Sequence, residues 1–148
     1  MDDIESIRLN DTERDELLGT GGTGVLSFAT GADESPHAVP VSYGYDGAET
    51  TFYFRLATDS NSPEQAPGGK AVTFVTYSQK EGVWQSVVAQ GVLESVDNGT
   101  GDTDILAGLE GVDIPYVDIF GEPLNEVSFE FYRLNPVELS GRKEQQRV

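Results

Sequence analysis

The sequence contains no cysteine, which excludes disulfides and thiolate metal sites. Histidine, tryptophan and methionine occur once each, as His37, Trp84 and Met1. No set of histidines and acids has metal-ligand spacing, and no hydrolase triad can be assembled. Asp97, Asp102 and Asp104 lack the fuller ligand set of a calcium loop. Basic residues are scarce, nine against 26 acidic ones, for a net charge of −17. Phosphate backbones require basic patches, so nucleic acid is not an expected partner. No apolar run reaches the length of a membrane span and no secretory signal opens the chain, so a cytoplasmic protein without membrane contact is expected.

What is present is enough for one folded domain. The chain has 148 residues, with seven phenylalanines and six tyrosines to fill a core. The acids then form a skin around that core. Such a skin repels itself in dilute salt and is tolerated where the Debye length falls to about 3 Å, near 1 M. The composition is that of a cytoplasmic protein from a salt-accumulating halophile.

Residues 19–24 read GTGGTG and match the spacing GxGxxG. A phosphate-cradling loop of that kind needs a strand running in and a helix running out. Here the order is reversed. DTERDELL precedes the glycines, with Thr12 a candidate N-cap and Gly19 at the C-terminal glycine position. VLSFAT, which is β-prone, follows. The glycines are read as a connection between helix and strand.

Beyond residue 23 the apolar period is mostly two. Strands are predicted at 24–30, 37–45, 50–57, 70–78 and 83–96, with a sixth and a short seventh within 127–141. Residues 102–111 suggest a short helix, and the tail from Arg142 is expected to be frayed. The fold class is mainly β, an antiparallel barrel or sandwich in a single domain with a few short helices.

The strand from His37 to Tyr45 alternates bulky residues with a small set, Ala38, Pro40, Ser42 and Gly44. A small face lets either a flat ligand or a packing partner approach the backbone. Arg55 interrupts the apolar run FYFRLA and offers planar donors for a carboxylate or phosphate, or pairs with a surface acid. Thr58, Ser60, Asn61 and Ser62 follow as hydrogen-bond donors, and Lys70 opens the next strand. Trp84 and Ser86 share one parity on strand 83–96; Trp84 stacks on a ligand or belongs to a core or subunit contact. His37 is a general base or an ordinary surface residue.

GVLSFAT, SPHAVPVSYGYDG, TFYFRLA, AVTFVTY, WQSVVAQGVLE and YRLNPVELSGRK follow one another over residues 12–143. In that series the chain resembles the FMN-binding split-barrel proteins related to pyridoxamine 5′-phosphate oxidase, especially small archaeal members near the nitroimidazole-resistance group. The resemblance implies a six-stranded antiparallel split β-barrel and a homodimer with an FMN in each of two interface grooves. It places His37, Val39, Pro40, Val41 and Ser42 along the flavin ring, partly through backbone groups. It places Arg55, Thr58 and Ser60 at the phosphate; Lys70, read from its place at the head of the next strand, offers a further charge. Ser86 matches a position that bonds the pyrimidine edge of the ring, and Trp84 and Arg142 lie near the site or the interface. One departure stands out. The loop TDSNSPEQAPGG carries Asp59 and Glu64 and no base before Lys70, where the family usually has Lys or Arg. Three functions follow for testing: a flavin-dependent oxidoreductase; a non-catalytic module for a flavin, a deazaflavin or another flat ligand; and action on a vitamin B6 phosphate, which the shortage of bases disfavours.

Overall fold

A computed structural model describes residues 5–58, 67–96 and 128–145. Strand β1 (Glu5–Arg8) and helix α1 (Asp11–Leu18) precede β2 (Gly21–Phe28), β3 (His37–Asp46) and β4 (Thr51–Thr58). Strands β5 (Ala71–Lys80), β6 (Val83–Val96), β7 (Ser128–Leu134) and β8 (Glu138–Gln145) complete the order. The helix predicted over 102–111 and the candidate donors Ser60, Asn61 and Ser62 lie outside the described residues.

Six antiparallel strands close a barrel in the order β6-β5-β2-β3-β4-β7, with β7 returning to β6. β8 and β1 extend the sheet outward from β6. The fold class expected from the sequence is the one found. The divergence depends on the length of β6. Its first half pairs with β8 from Gln85↔Lys143 to Gln90↔Glu138, and its second half with β7 from Leu93↔Leu134 to Val96↔Phe131. Gly91 stands between the two halves. A Cβ there would lie 2.8 Å from Leu134 Cδ1 and 3.1 Å from the Asn135 carbonyl oxygen, so a side chain would block the crossing of β7 into β8.

Alternation sorts the side chains into two faces. Leu26, Tyr43, Phe52, Phe54, Phe74, Val87, Leu93, Tyr132 and Leu134 fill the barrel interior and are at most 2% exposed. The aromatic rings pack edge to face, Phe74 with Tyr43 at 5.0 Å and with Phe54 at 5.1 Å between centroids.

The helix closes one end of the barrel. Its cap is Asn10 rather than Thr12: Asn10 Oδ1 accepts from the Glu13 N–H at 2.8 Å, and Glu13 Oε1 accepts from the Asn10 N–H at 3.2 Å. Leu18 is its buried anchor. Tyr43 donates to the Leu18 carbonyl at 3.0 Å and Tyr45 to Asp15 Oδ1 at 2.8 Å. Burial, then Asp15, pushes the Tyr45 hydroxyl up to about 12. Lys143 pairs with Glu13 at 2.7 Å and Lys80 with Glu16 at 3.3 Å.

Two local expectations change. The glycines of GTGGTG are mostly strand rather than connection, because β2 begins at Gly21. A Cβ on Gly24 would lie 2.5 Å from the Val75 carbonyl oxygen and 2.7 Å from the Phe74 ring. A Cβ on Gly22 would lie 3.3 Å from the Tyr43 ring. Only Gly19, with φ of +58°, serves the turn. Arg142–Gln145, expected in a frayed tail, lie in β8, held by β6 and by β1 from Arg8↔Arg142 to Glu5↔Gln145.

Candidate functional site

The β3–β4 ladder is short. It runs from Asp46↔Thr51 to Tyr43↔Phe54 and stops. Beyond that point His37–Ser42 remain paired with β2 on their other side, and Arg55–Thr58 remain paired with β7. Among the described residues nothing pairs the two strands across this gap. The barrel wall therefore opens into a fork, whose two arms carry most of the residues singled out in the sequence. Backbone polar groups on an unpaired strand edge demand partners, which a ligand can supply. Pro40 has no N–H to satisfy and occupies such an edge without cost.

Within the fork the faces are distinct. Val39 and Val41 turn into the barrel and pack on its core, so only their backbone faces the gap. Ala38 and Pro40 lie on the outer face and are exposed. Ser42 and Gly44 continue that face but are buried. The small-residue strip seen in the sequence is thus open at one end and shut at the other, and Ser42 stands at the boundary. Its Oγ is buried and has no hydrogen-bond partner among the described residues. Arg55 is the first residue of β4 beyond the fork, on the outer face between core residues Phe54 and Leu56. Its guanidinium lies 5.9 Å from the centre of the Phe131 ring. His37, at the tip of β3, is exposed and lies 6.1 Å from the Phe28 ring. Thr58 ends β4 on the other arm. Lys70 sits at the same end of the barrel, its carbonyl accepting from the Leu93 N–H.

A second feature lies elsewhere on the outer face. Ser86 on β6 is paired with Arg142 on β8. Together with Tyr77, Trp84, Gln85, Lys143 and Glu144 they line a cleft of about 330 Å³. The Tyr77 and Trp84 rings are 5.8 Å apart, and both are exposed. Three residues singled out in the sequence, Trp84, Ser86 and Arg142, are brought together. Tyr77 and Lys143 escaped the sequence reading. The signal for Tyr77 was parity, since Val72, Phe74 and Thr76 of β5 face inward and an aromatic at 77 must face out. Lys143 gives no such signal, because the chain from Arg142 is expected to be tail.

Fork and cleft do not meet within one chain. β3 and β6 are separated by β2 and β5, three strand spacings or about 14 Å around the barrel. One row of the surface between them is apolar: Val25, Val75 and Val88 are outward-facing and register-paired in turn, with Tyr77, Trp84 and Val92 exposed around them and the polar row Ser27, Thr73 and Gln90 beside them.

A family model for pyridoxamine 5′-phosphate oxidase matches residues 10–143. The chain belongs to that family. Three solved structures share the fold. A candidate pyridoxamine 5′-phosphate oxidase from Corynebacterium glutamicum is 23% identical, with a TM-score of 0.68 over 100% of this chain and 98% of its own. An FAD-binding protein from Mycobacterium smegmatis is 18% identical, with a TM-score of 0.67 over 95% and 100%. A candidate 5-nitroimidazole antibiotic resistance protein from Bacteroides thetaiotaomicron is 15% identical, with a TM-score of 0.56 over 97% and 90%. No curated protein sequence matches the chain at a significant level. Among the described residues of this oxidase-family chain, no helix is long and apolar enough to cross a membrane and no cluster of metal-ligating side chains occurs.

Proposed function

We propose that the protein binds a flavin, FMN in the first instance, at the β3–β4 fork and works as a flavin-dependent oxidoreductase in a homodimer. The observation that carries this reading is the fork itself: a strand with one unpaired edge, an open small-residue strip at Ala38 and Pro40, and Arg55 at its root. A planar ring can lie on such a strip, and a guanidinium suits the anionic end of the ligand. The FAD-binding relative in Mycobacterium smegmatis supports a flavin in this fold. When bound, the flavin supplies the electron or hydride chemistry. The chain's own part is to hold it: backbone groups of His37–Ser42 along the ring, Arg55 and Thr58 toward the phosphate, and Lys70 at the same end of the barrel.

A dimer would bring fork and cleft, which lie apart within one chain, into one site. Two copies packed through the apolar surface around Val25, Val75 and Val88 would set the fork of one beside the cleft of the other. Ser86 and Arg142 of one chain then reach the polar edge of the ring held by its partner, and Trp84 and Tyr77 wall the groove. The net charge of −17 opposes this association in dilute salt, so the dimer and its site form best at molar salt.

The test is an absorbance spectrum of the protein purified at molar salt, followed by an FMN titration read by flavin fluorescence, with mass measured by light scattering. Saturation at one FMN per chain in a dimer is expected. A colourless monomer that ignores FMN would refute the reading. A second reading, a flavin-type module without catalysis, is favoured by the acids Asp59 and Glu64 in the segment after β4. It predicts FMN binding without reduction by a nicotinamide donor.

A further inference from the structure

Two parts of the molecule compete for Lys143. It lines the outer cleft together with Ser86, Tyr77 and Trp84. Its Nζ, however, is engaged by a residue that does not line the cleft, donating to Glu13 Oε2 of α1 at 2.7 Å. Among the ion pairs between described residues this is the shortest, the others running from 2.9 to 3.3 Å. Its two side chains are 30% and 31% exposed, so the contact is partly shielded from water. The Glu13 carboxyl is held below its ordinary value chiefly by this bond.

The fold fixes Glu13 at that point. Its other oxygen, Oε1, accepts from the Asn10 N–H and closes the capping box. The residue before the cap is fixed as well: the Leu9 N–H donates to the Gly141 carbonyl at 2.9 Å, and the Leu9 side chain is buried. The start of α1 is thereby locked to β8 two residues from Lys143. A carboxylate held in this way acts on its cation at a high effective concentration. The cleft that shares the lysine has the lining for a particular ligand. The exposed Tyr77 and Trp84 rings, 5.8 Å apart, offer faces to a planar group, and a volume of about 330 Å³ suits a small molecule. An ammonium on a flexible stem supplies a point charge for a carboxylate.

We propose that Glu13 is an autoinhibitory carboxylate: it occupies the lysine of the outer cleft, and a small planar aromatic carboxylate binding there must displace it. The competition is reciprocal. A ligand that takes Lys143 releases Glu13, and a change that releases Lys143 strengthens the ligand. Neutral planar molecules meet no such barrier, so α1 sets the threshold for anions alone. The contact is made within one chain and stands whether or not a flavin binds the fork.

Trp84 is the sole tryptophan and lies in the cleft, so its emission reports occupancy. Benzoate and benzamide, both planar and differing in charge, are titrated at fixed molar ionic strength. The proteins are wild type, Glu13→Gln, Glu16→Gln, Lys143→Met and the double variant Glu13→Gln with Lys143→Met. Glutamine also serves at the third position of a capping box, so Glu13→Gln keeps the helix start. Glu16→Gln removes the same charge from the same helix, but its partner Lys80 does not line the cleft. Glu13→Gln should bind benzoate about threefold more tightly, the scale of a partly exposed ion pair, with benzamide unchanged. Glu16→Gln should match wild type. Lys143→Met should weaken benzoate and leave benzamide, and adding Glu13→Gln to it should change nothing. Equal gains in Glu13→Gln and Glu16→Gln would trace the effect to the overall charge of the helix and overturn the proposal. So would benzoate affinity unmoved by Glu13→Gln, a Lys143→Met variant with the wild-type preference, or no binding of benzoate to either wild type or Glu13→Gln.

Discussion

Gly24→Ala should be among the most damaging single-methyl additions in this barrel, with an effect on stability and not on ligand affinity. The added Cβ would lie 2.5 Å from the Val75 carbonyl oxygen and 2.7 Å from two Phe74 ring atoms. Neither neighbour can yield cheaply. The carbonyl belongs to β5, which pairs with β2 from Val25↔Val75 to Phe28↔Val72. Phe74 is fully buried and touches Tyr43, Phe52 and Phe54. Overpacking of this kind costs about 3 kcal/mol, at the upper end of the usual range because backbone must move. The entropy gained by removing a strand glycine returns at most about 1 kcal/mol. A net loss of about 2–3 kcal/mol corresponds to a fall in melting temperature of about 4–12 °C for a domain of this size. Gly22→Ala meets only the Tyr43 ring at 3.3 Å and should cost less. The assay is thermal unfolding by circular dichroism at molar salt, paired with an FMN titration of each variant. A phosphate loop at GTGGTG would reverse the pattern, with affinity lost and stability kept. Gly24→Ala melting within 1 °C of wild type would refute the packing account.

Three further outcomes are expected. The hydroxyls of Tyr45 and Tyr132 are pushed up to about 12, by burial first and then by Asp15 and Glu130 respectively. Their share of stability is complete below the unfolded value of 10.0 and drains away as pH rises toward 12; urea midpoints across that window should fall, less steeply in Tyr45→Phe. The Glu13 carboxyl is held below its ordinary 4.5, chiefly by its hydrogen bond from Lys143 and then by the Asn10 N–H. That contribution is present above pH 4.5 and is lost as pH falls through the lowered value, so the midpoint difference between wild type and Glu13→Gln should shrink on acidification. Val88→Glu, in the outward row Val25, Val75 and Val88, should weaken the proposed dimer by about 2 kcal/mol or more through like-charge juxtaposition, checked by sedimentation at molar salt, with a folded monomer expected.

The barrel was largely legible in the sequence because its signals are local. Strand 83–96 was bounded as it is found, and Phe52, Phe54 and Leu56 announced the inward face of β4 by alternation alone. The glycines of GTGGTG misled because a glycine gives the same letter in a turn and beneath an aromatic ring; only the placement of Phe74 and Tyr43 separates the two. β1 was missed for a related reason. ESIR is a strand only because β8 offers it an edge, well over a hundred residues later in the chain. The candidate site was legible as residue types and not as geometry. Pro40, Ser42 and Arg55 were conspicuous in their strands, but the end of the β3–β4 ladder is a fact of pairing that no single strand encodes. Arg142 was named through family resemblance, while its neighbour Lys143 required the structure.

The unequal pairing of the strands also sets how the molecule breathes. β6 is bonded to β5 along most of its length and to β8 and β7 in succession on the other edge. Among the described residues the arms of the fork are bonded on one edge only. Amide protons in β6 can exchange with solvent only when the whole barrel comes apart, whereas those of His37–Ser42 and Arg55–Thr58 have a cheaper route through local opening. The same chain thus carries its most persistent and its most yielding backbone a few strands apart, and a ligand seated in the fork slows the second kind of opening without touching the first.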